Sequence, residues 1–121
     1  MLAASTDGIR FEKHGAVIPP VKADARDSTV FAHDGRFFMT VGAQVGGRGV
    51  VLLYSSAHLR TWHEQSTLYE DQDPNVFMIE CPDFFPLGDK WVLLHSPMRT
   101  APVRTGYRLR NGHNAGYIVG D

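Results

Sequence analysis

Residues 26–41 read RDSTVFAHDGRFFMTV, and the same pattern returns in residues 80–95, which read ECPDFFPLGDKWVLLH. At an offset of 54 residues, the aromatic Phe37 falls on Trp91, and a pair made of Gly and Asp stands at the same place in both copies. A turn pair between two runs of β-branched and aromatic residues predicts a hairpin. Short antiparallel strands repeated about every 50 residues are typical of β-propeller blades, although two unrelated hairpins could also resemble each other by chance.

The rest of the chain also has the residue pattern of strands and turns, and no segment has a helical pattern. We therefore predict an all-β fold, built as an antiparallel meander. Two polar stretches, residues 57–76 and 98–110, are predicted to be loops. The predicted strands are residues 29–32, 36–44, 50–55, 84–86, 90–96 and 115–119.

Composition limits the partners that the chain can have. Its 121 residues are 43% hydrophobic, enough for one modest domain, and the net charge of -1 predicts neither a nucleic acid nor a membrane partner. One cysteine and six scattered histidines give no disulfide and no zinc spacing, so we expect no metal and no cofactor. The first residues do not resemble a signal peptide, so we expect a cytoplasmic location. This location is provisional, because an export signal could have been lost with the N-terminus.

Two carboxylates, Asp27 and Glu80, hold nearly matching places in the repeat. The innermost strands of a propeller line a central channel, so we expect both side chains to face one pocket. Glycoside hydrolysis needs such a pair, one group protonated and the other ionised. The apolar residues around Glu80 favour the protonated form, and Arg26 beside Asp27 favours the ionised form. Glu80 is therefore the candidate acid and Asp27 the candidate anion.

Simpler interpretations stay open for these residues. Asp27 could cap a turn, and Glu80 could be a charge that protects an edge strand. Asp83 could satisfy backbone amides after Pro82 or contact a ligand. Cys81 is predicted to be a small packed side chain.

Two tryptophans and four arginines are further candidates for binding residues. Trp62 and Trp91 are predicted to be core residues rather than platforms for a sugar, Trp91 more clearly because it stands in a predicted strand. The arginines are predicted to lie in a solvated loop, with phosphate binding as the alternative. They are Arg99, Arg104, Arg108 and Arg110.

Several motifs together resemble those of glycoside hydrolase family 32, the β-fructofuranosidases, which include invertases and sucrose-6-phosphate hydrolases. The ECPDFF of residues 80–85 resembles the ECPD motif of that family, and Arg26-Asp27-Ser28 resembles its RDP motif. LLYSSAHLRTWHE at 52–64 and GYIVGD at 116–121 are similar to the segments that lie between and after those motifs. The resemblance implies a five-bladed β-propeller, of which residues 1–121 would be a partial catalytic domain with two middle blades, at about 26–79 and 80–121.

The resemblance also implies a role for each matching residue. Glu80 would be the general acid/base of a retaining mechanism, and Asp27 would stabilise the transition state by bonding fructosyl hydroxyls. Arg26 and Asp83 would help to bind the substrate, a small fructoside such as sucrose, sucrose 6-phosphate or a fructan. Ser28 replaces the usual proline of the RDP motif, which leaves the backbone after Asp27 less fixed.

One part of the family pattern is missing from these residues. The nucleophile of the family is the aspartate of a WMNDPNG motif, and the Asp73-Pro74-Asn75 of this chain lacks its Trp-x-Asn lead, so we interpret it as an unrelated loop. We therefore expect the chain to be an internal piece of a glycosidase, inactive alone. The alternatives are a related arabinosidase-type or xylosidase-type propeller and a non-catalytic carbohydrate-binding or interaction module.

Overall fold

The structure, a computed structural model, describes residues 1–18, 24–100 and 114–121, and these residues form nine β-strands. The predicted all-β class is confirmed. Within those three ranges, no helix has the length and apolar character needed to cross a bilayer. The strands are β1 Leu2–Ala4, β2 Glu12–Gly15, β3 Ala25–His33, β4 Arg36–Val45, β5 Arg48–Ser56, β6 His63–Glu70, β7 Val76–Leu87, β8 Lys90–Arg99 and β9 Gly116–Gly120.

The strands form three antiparallel sheets. β1 and β2 pair as a small hairpin, which the sequence analysis missed, β3 to β6 form a four-stranded meander, and β7 to β9 form a three-stranded one. The turn between β3 and β4 has positive φ at Asp34 and Gly35, 46° and 72°, as a two-residue hairpin turn requires. The repeat of the sequence thus marks the first hairpin of each larger sheet.

Two predicted loops were wrong in part. The stretch 57–76 contains β6, which pairs with β5 along one edge of the sheet. Most of its side chains are exposed and polar, so the strand lacks the alternating pattern that a half-buried strand shows. The predicted loop at 98–110 begins inside β8, and its residues from 101 onward, with Arg104, Arg108 and Arg110, lie outside the described residues.

The two larger sheets pack face to face. Between them lies a buried cluster of Val51 from β5, Val76 and Ile79 from β7, and Leu93 from β8. A glycine makes the close approach possible, because a Cβ atom on Gly42 would lie 2.3 Å from the carbonyl oxygen of Ile79. The sheets are therefore stacked as neighbouring blades of a propeller are, with β4 pressed against β7.

The opposite face of the first sheet carries a second cluster, in which Met39, Val41 and Leu52 surround the buried Trp62. Trp62 is 6% exposed, as its predicted place in the core requires. Trp91 is only half-buried and stacks on Phe84 at the edge of the interface between the sheets. The order of burial is thus the reverse of the one that we predicted for the two tryptophans.

Candidate active site

Two β-bulges in equivalent positions build the candidate site. In β3, Asp27 and Ser28 stand opposite a single residue of β4, and in β7, Cys81 and Pro82 stand opposite a single residue of β8. Asp27 and Cys81 both have left-handed backbone, with φ of 54° and 48°. Such conformations are uncommon away from glycine and gather at functional sites.

Each bulge is held by its neighbours. Pro82 is tolerated within a strand because the bulge interrupts the ladder of hydrogen bonds. The fully buried Thr40 of β4 donates its hydroxyl to the carbonyl oxygen of Pro82 at 3.4 Å. The first sheet therefore helps to set the backbone next to Glu80.

The two bulges meet through side chains. Arg26 Nη1 donates to Glu80 Oε1 at 3.0 Å, and the backbone N–H of Cys81 donates to Asp27 Oδ2 at 3.2 Å. All four residues come from the bulges or stand next to them. The structure therefore brings Asp27 and Glu80 together from neighbouring sheets, although they are far apart in the sequence.

The pairing of charges differs from the one that the sequence suggested. Arg26 bonds the carboxylate of Glu80 and also lies 3.7 Å from Asp24, whereas Asp27 receives its hydrogen bond from a backbone N–H. The side chain of Glu80 is 29% exposed and has a guanidinium beside it, so its surroundings are less apolar than expected. Side chains that are adjacent along a strand point to different sides, so the partners of Arg26 and Asp27 come from the other sheet.

Cys81 is exposed, and the prediction of a packed thiol was wrong. Its Sγ lies 3.6 Å from Asp27 Oδ2. Partial desolvation, the hydrogen bond to Asp27 and the negative charges of Asp27 and Glu80 together raise the pKa of the Cys81 thiol. Because the thiolate is the reactive form, Cys81 is a poor candidate nucleophile.

Two cavities open beside the bulges, rather than the single pocket that the sequence predicts. One, of about 420 Å³, is lined by Glu80, Cys81, Ser96 and Asn114, among others. The second, of about 270 Å³, is lined by Asp27 and its neighbours together with the apolar face around Trp62. Among the described residues, the two carboxylates thus line different cavities, and the hydrogen bonds from Arg26 to Glu80 and from Cys81 to Asp27 link the two bulges.

Asp83 stands apart from this arrangement. It is exposed and pairs with Leu94 of β8, and it is not among the residues that line the Glu80 cavity. Its predicted part in substrate binding stays a prediction. The site also contains residues that the sequence analysis missed, chiefly Ser96 and Asn114, because nothing local in the sequence marks them as neighbours of Glu80.

The chemical possibilities of the site are those of a carboxylate pair. No group of three or more His, Cys, Asp or Glu residues in the described ranges is placed to hold a metal ion. The simpler interpretations, a turn cap for Asp27 and an edge-strand charge for Glu80, agree with the structure to different degrees. Asp27 bonds the next sheet rather than capping a local turn, whereas Glu80 does lie on an edge strand, β7, where its charge meets Arg26.

Known proteins share both the sequence and the fold. The model of the glycosyl hydrolases family 32 N-terminal domain matches residues 1–121. The raffinose invertase of Escherichia coli is 41% identical over 123 residues, which cover 99% of this chain and 25% of that enzyme. A sucrose-6-phosphate hydrolase of Escherichia coli is 38% identical, with coverages of 98% and 25%.

Solved structures agree with these matches. The GH32 beta-fructofuranosidase of Bombyx mori superposes with a TM-score of 0.88 at 34% identity, covering 98% of this chain and 26% of that one. A mutant of the same enzyme in complex with sucrose superposes with a TM-score of 0.86. The chain thus spans about a quarter of the length of the relatives that it matches.

Proposed function

Because the chain belongs to glycosyl hydrolases family 32, we propose that the whole protein carrying it hydrolyses β-fructofuranosidic bonds, such as that of sucrose, with retention of configuration. The observation that carries this proposal is the pair of hydrogen bonds joining the bulges, Arg26 to Glu80 and Cys81 to Asp27. They link the two bulges that carry these carboxylates, at the junction of two sheets. The relatives named invertase and sucrose-6-phosphate hydrolase support the choice of substrate.

Glu80 is the proposed general acid and base. It protonates the glycosidic oxygen as the bond breaks, and in the second half of the reaction it takes a proton from the attacking water. It lines a cavity of about 420 Å³ together with Ser96 and Asn114. Arg26, bonded to one carboxylate oxygen, fixes the direction of the other.

Asp27 is the proposed stabiliser of the transition state. Its Oδ2 is bound by the N–H of Cys81, which leaves Oδ1 to accept hydrogen bonds from fructosyl hydroxyls as positive charge develops on the ring. A retaining mechanism also needs a carboxylate nucleophile, and we assign no residue of this chain to that role. Asp73, in the one segment with a likeness to the nucleophile motif, is bonded to Arg99 and Asn75 instead.

The test is the release of fructose by the whole protein, including whatever sequence flanks these residues. We expect fructose from one or more of sucrose, sucrose 6-phosphate, raffinose and inulin. Glu80→Gln should lower the rate with sucrose by about 10²- to 10⁴-fold, the usual contribution of a general acid. The matched control is Asp89→Asn, which changes an exposed carboxylate in the turn between β7 and β8 and should leave the rate unchanged.

Two results would refute this function. One is a wild-type protein that releases arabinose or xylose from their glycosides but no fructose from any fructoside. The other is a folded wild-type protein that binds sugars without cleaving them, as a carbohydrate-binding module would. The cytoplasmic location is a separate proposal, which fractionation of the source cells tests.

A further inference from the structure

The loop before β7 anchors an arginine that the proposed mechanism does not use. Arg99 Nε donates to Asp73 Oδ2 at 3.3 Å, and the Arg99 side chain is only 17% exposed. The other oxygen, Oδ1, accepts the backbone N–H and the side-chain amide of Asn75, at 2.9 and 3.0 Å. The backbone N–H of Asn75 first, then its side chain and Arg99, hold the pKa of Asp73 below its ordinary value. The charged carboxylate thus keeps the guanidinium in one place.

Arg99 in turn fixes the orientation of an amide. Its Nη1 lies 2.9 Å from Asn114 Oδ1. A guanidinium can only donate, so the atom of Asn114 that faces it must be the oxygen, and the NH₂ group must point away from Arg99. Asn114 lines the same cavity as Glu80 and Ser96. The contacts from Asp73 to Arg99 and from Arg99 to Asn114 therefore fix the orientation of an amide donor on a residue that lines this cavity.

The position of this donor relative to the two carboxylates indicates which part of a substrate it meets. The acid must reach the oxygen that joins the fructosyl group to the leaving group. Asp27, which serves the fructosyl group in the proposed mechanism, lines the other cavity. Asn114 lines the cavity of Glu80 and is not among the residues that line the cavity of Asp27, which assigns it to the side of the leaving group.

We propose that Asn114 binds a hydroxyl group of the leaving-group sugar and that Arg99 and Asp73 are its positioning residues. The assignment rests on the proposed function, because it takes Glu80 as the acid. A hydrogen-bond donor that is already oriented loses little conformational freedom when the sugar binds. Arg99 and Asp73 therefore raise the affinity of Asn114 for a sugar at this position. Residues 71–75, which read DQDPN, thereby have a structural role that does not depend on their likeness to the nucleophile motif.

The experiment compares two fructosides with the whole protein. Sucrose has a leaving group rich in hydroxyls, whereas the methanol released from methyl β-D-fructofuranoside has none left for Asn114 to bind. Asn114→Ala should raise KM for sucrose about tenfold, as expected for one lost hydrogen bond, with kcat little changed. Both constants for the methyl fructoside should stay within about twofold. Arg99→Met should give the same selective rise in KM, since it frees the amide to turn.

The contrary results are distinct. An equal loss of catalytic efficiency with both fructosides in Asn114→Ala would mean that Asn114 acts through the fold or through Glu80. Unchanged kinetics with sucrose would mean that Asn114 does not contact the leaving-group sugar. Either result overturns the assignment. If Asn114→Ala does not fold, Arg99→Met carries the same comparison. If the wild-type protein cleaves neither fructoside, the proposed function fails, and calorimetry with sucrose then tests the assignment of Asn114. Sucrose binding about tenfold weaker in Asn114→Ala than in the wild type supports the assignment. Equal affinity in the two proteins, or no binding of sucrose by the wild type, overturns it.

Discussion

Asp27 and Cys81 occupy the same place in two neighbouring sheets and are hydrogen-bonded to each other, with Cys81 N and Asp27 Oδ2 3.2 Å apart. Both have left-handed backbone within a bulge of two residues opposite one. A bulge turns its side chain out of the regular alternation of the strand. An acid of the first sheet thus reaches the backbone of the second, directly beside Glu80.

Asp27→Asn should abolish most activity without loss of stability. Asn tolerates left-handed backbone as well as Asp does, and its oxygen can still accept the N–H of Cys81. Only the charge that stabilises the fructosyl cation is lost, and we expect kcat with sucrose to fall about 10²- to 10³-fold. Steady-state kinetics and a thermal melt of the same sample check both parts.

Comparison of Asp27→Ala with Asp27→Asn separates the effect of the lost charge from the effect of the left-handed backbone at this position. Alanine at φ of 54° costs about 1–2 kcal/mol, so this variant should lose stability as well as activity. Full activity in Asp27→Asn would remove Asp27 from the mechanism.

Gly42→Ala should destabilise the protein by about 1–3 kcal/mol, because the added methyl group would lie 2.3 Å from the carbonyl oxygen of Ile79, which cannot move without moving β7. Since Ile79 precedes Glu80, activity should fall too. Gly120→Ala is the matched control, with no atom within 4 Å of the added Cβ and an expected change within about 0.5 kcal/mol. Urea denaturation measures both, and equal midpoints for the two variants would contradict this packing of the sheets.

The repeat and the hairpins could be predicted from the sequence because their signals are local. A turn pair with positive φ, as at Asp34-Gly35, and aromatic residues at matching places, as at Phe37 and Trp91, mark a hairpin wherever they occur. The β-propeller class inferred from the spacing of the repeat is confirmed by the family match and the superposed structures.

The features that could not be predicted from the sequence are those that depend on contacts between different strands. The polar edge strand β6 is held by backbone bonds to β5, which leave no pattern in its side chains. The partner of Arg26 is Glu80 in another sheet, although Asp27 is adjacent in sequence. Asn114 lies beside Glu80 in the cavity and is held by Arg99, a contact between segments that nothing local in the sequence indicates.

Acidification should weaken the packing between the larger sheets through His95. This side chain is 7% exposed and packs at a tilt against Tyr69, with the ring centroids 5.2 Å apart, and its Nδ1 has no hydrogen-bond partner among the described residues. Burial lowers the pKa of His95 from its ordinary 6.5, an effect that the charge of Asp71 opposes and that of Arg99 assists. The unfolded chain therefore takes up the proton first as pH falls.

The stability that neutral His95 contributes is thus complete above pH 6.5 and is lost as pH falls from there through the lowered pKa. Urea midpoints measured from about pH 7.5 down to about pH 5 should fall less steeply in His95→Gln than in the wild type. His63→Gln, at an exposed position of β6, should retain the wild-type slope. A slope in His95→Gln as steep as that of the wild type would exclude His95 as the cause.

The account depends most on Asp27 and Glu80 acting on one sugar, and a crystal structure of the whole Glu80→Gln protein with sucrose tests this directly. We predict that the side-chain amide at position 80 lies within about 3 Å of the glycosidic oxygen and that Asp27 accepts hydrogen bonds from the fructosyl hydroxyls. Sucrose that contacts only one of these two residues, or that lies away from both, would contradict the account.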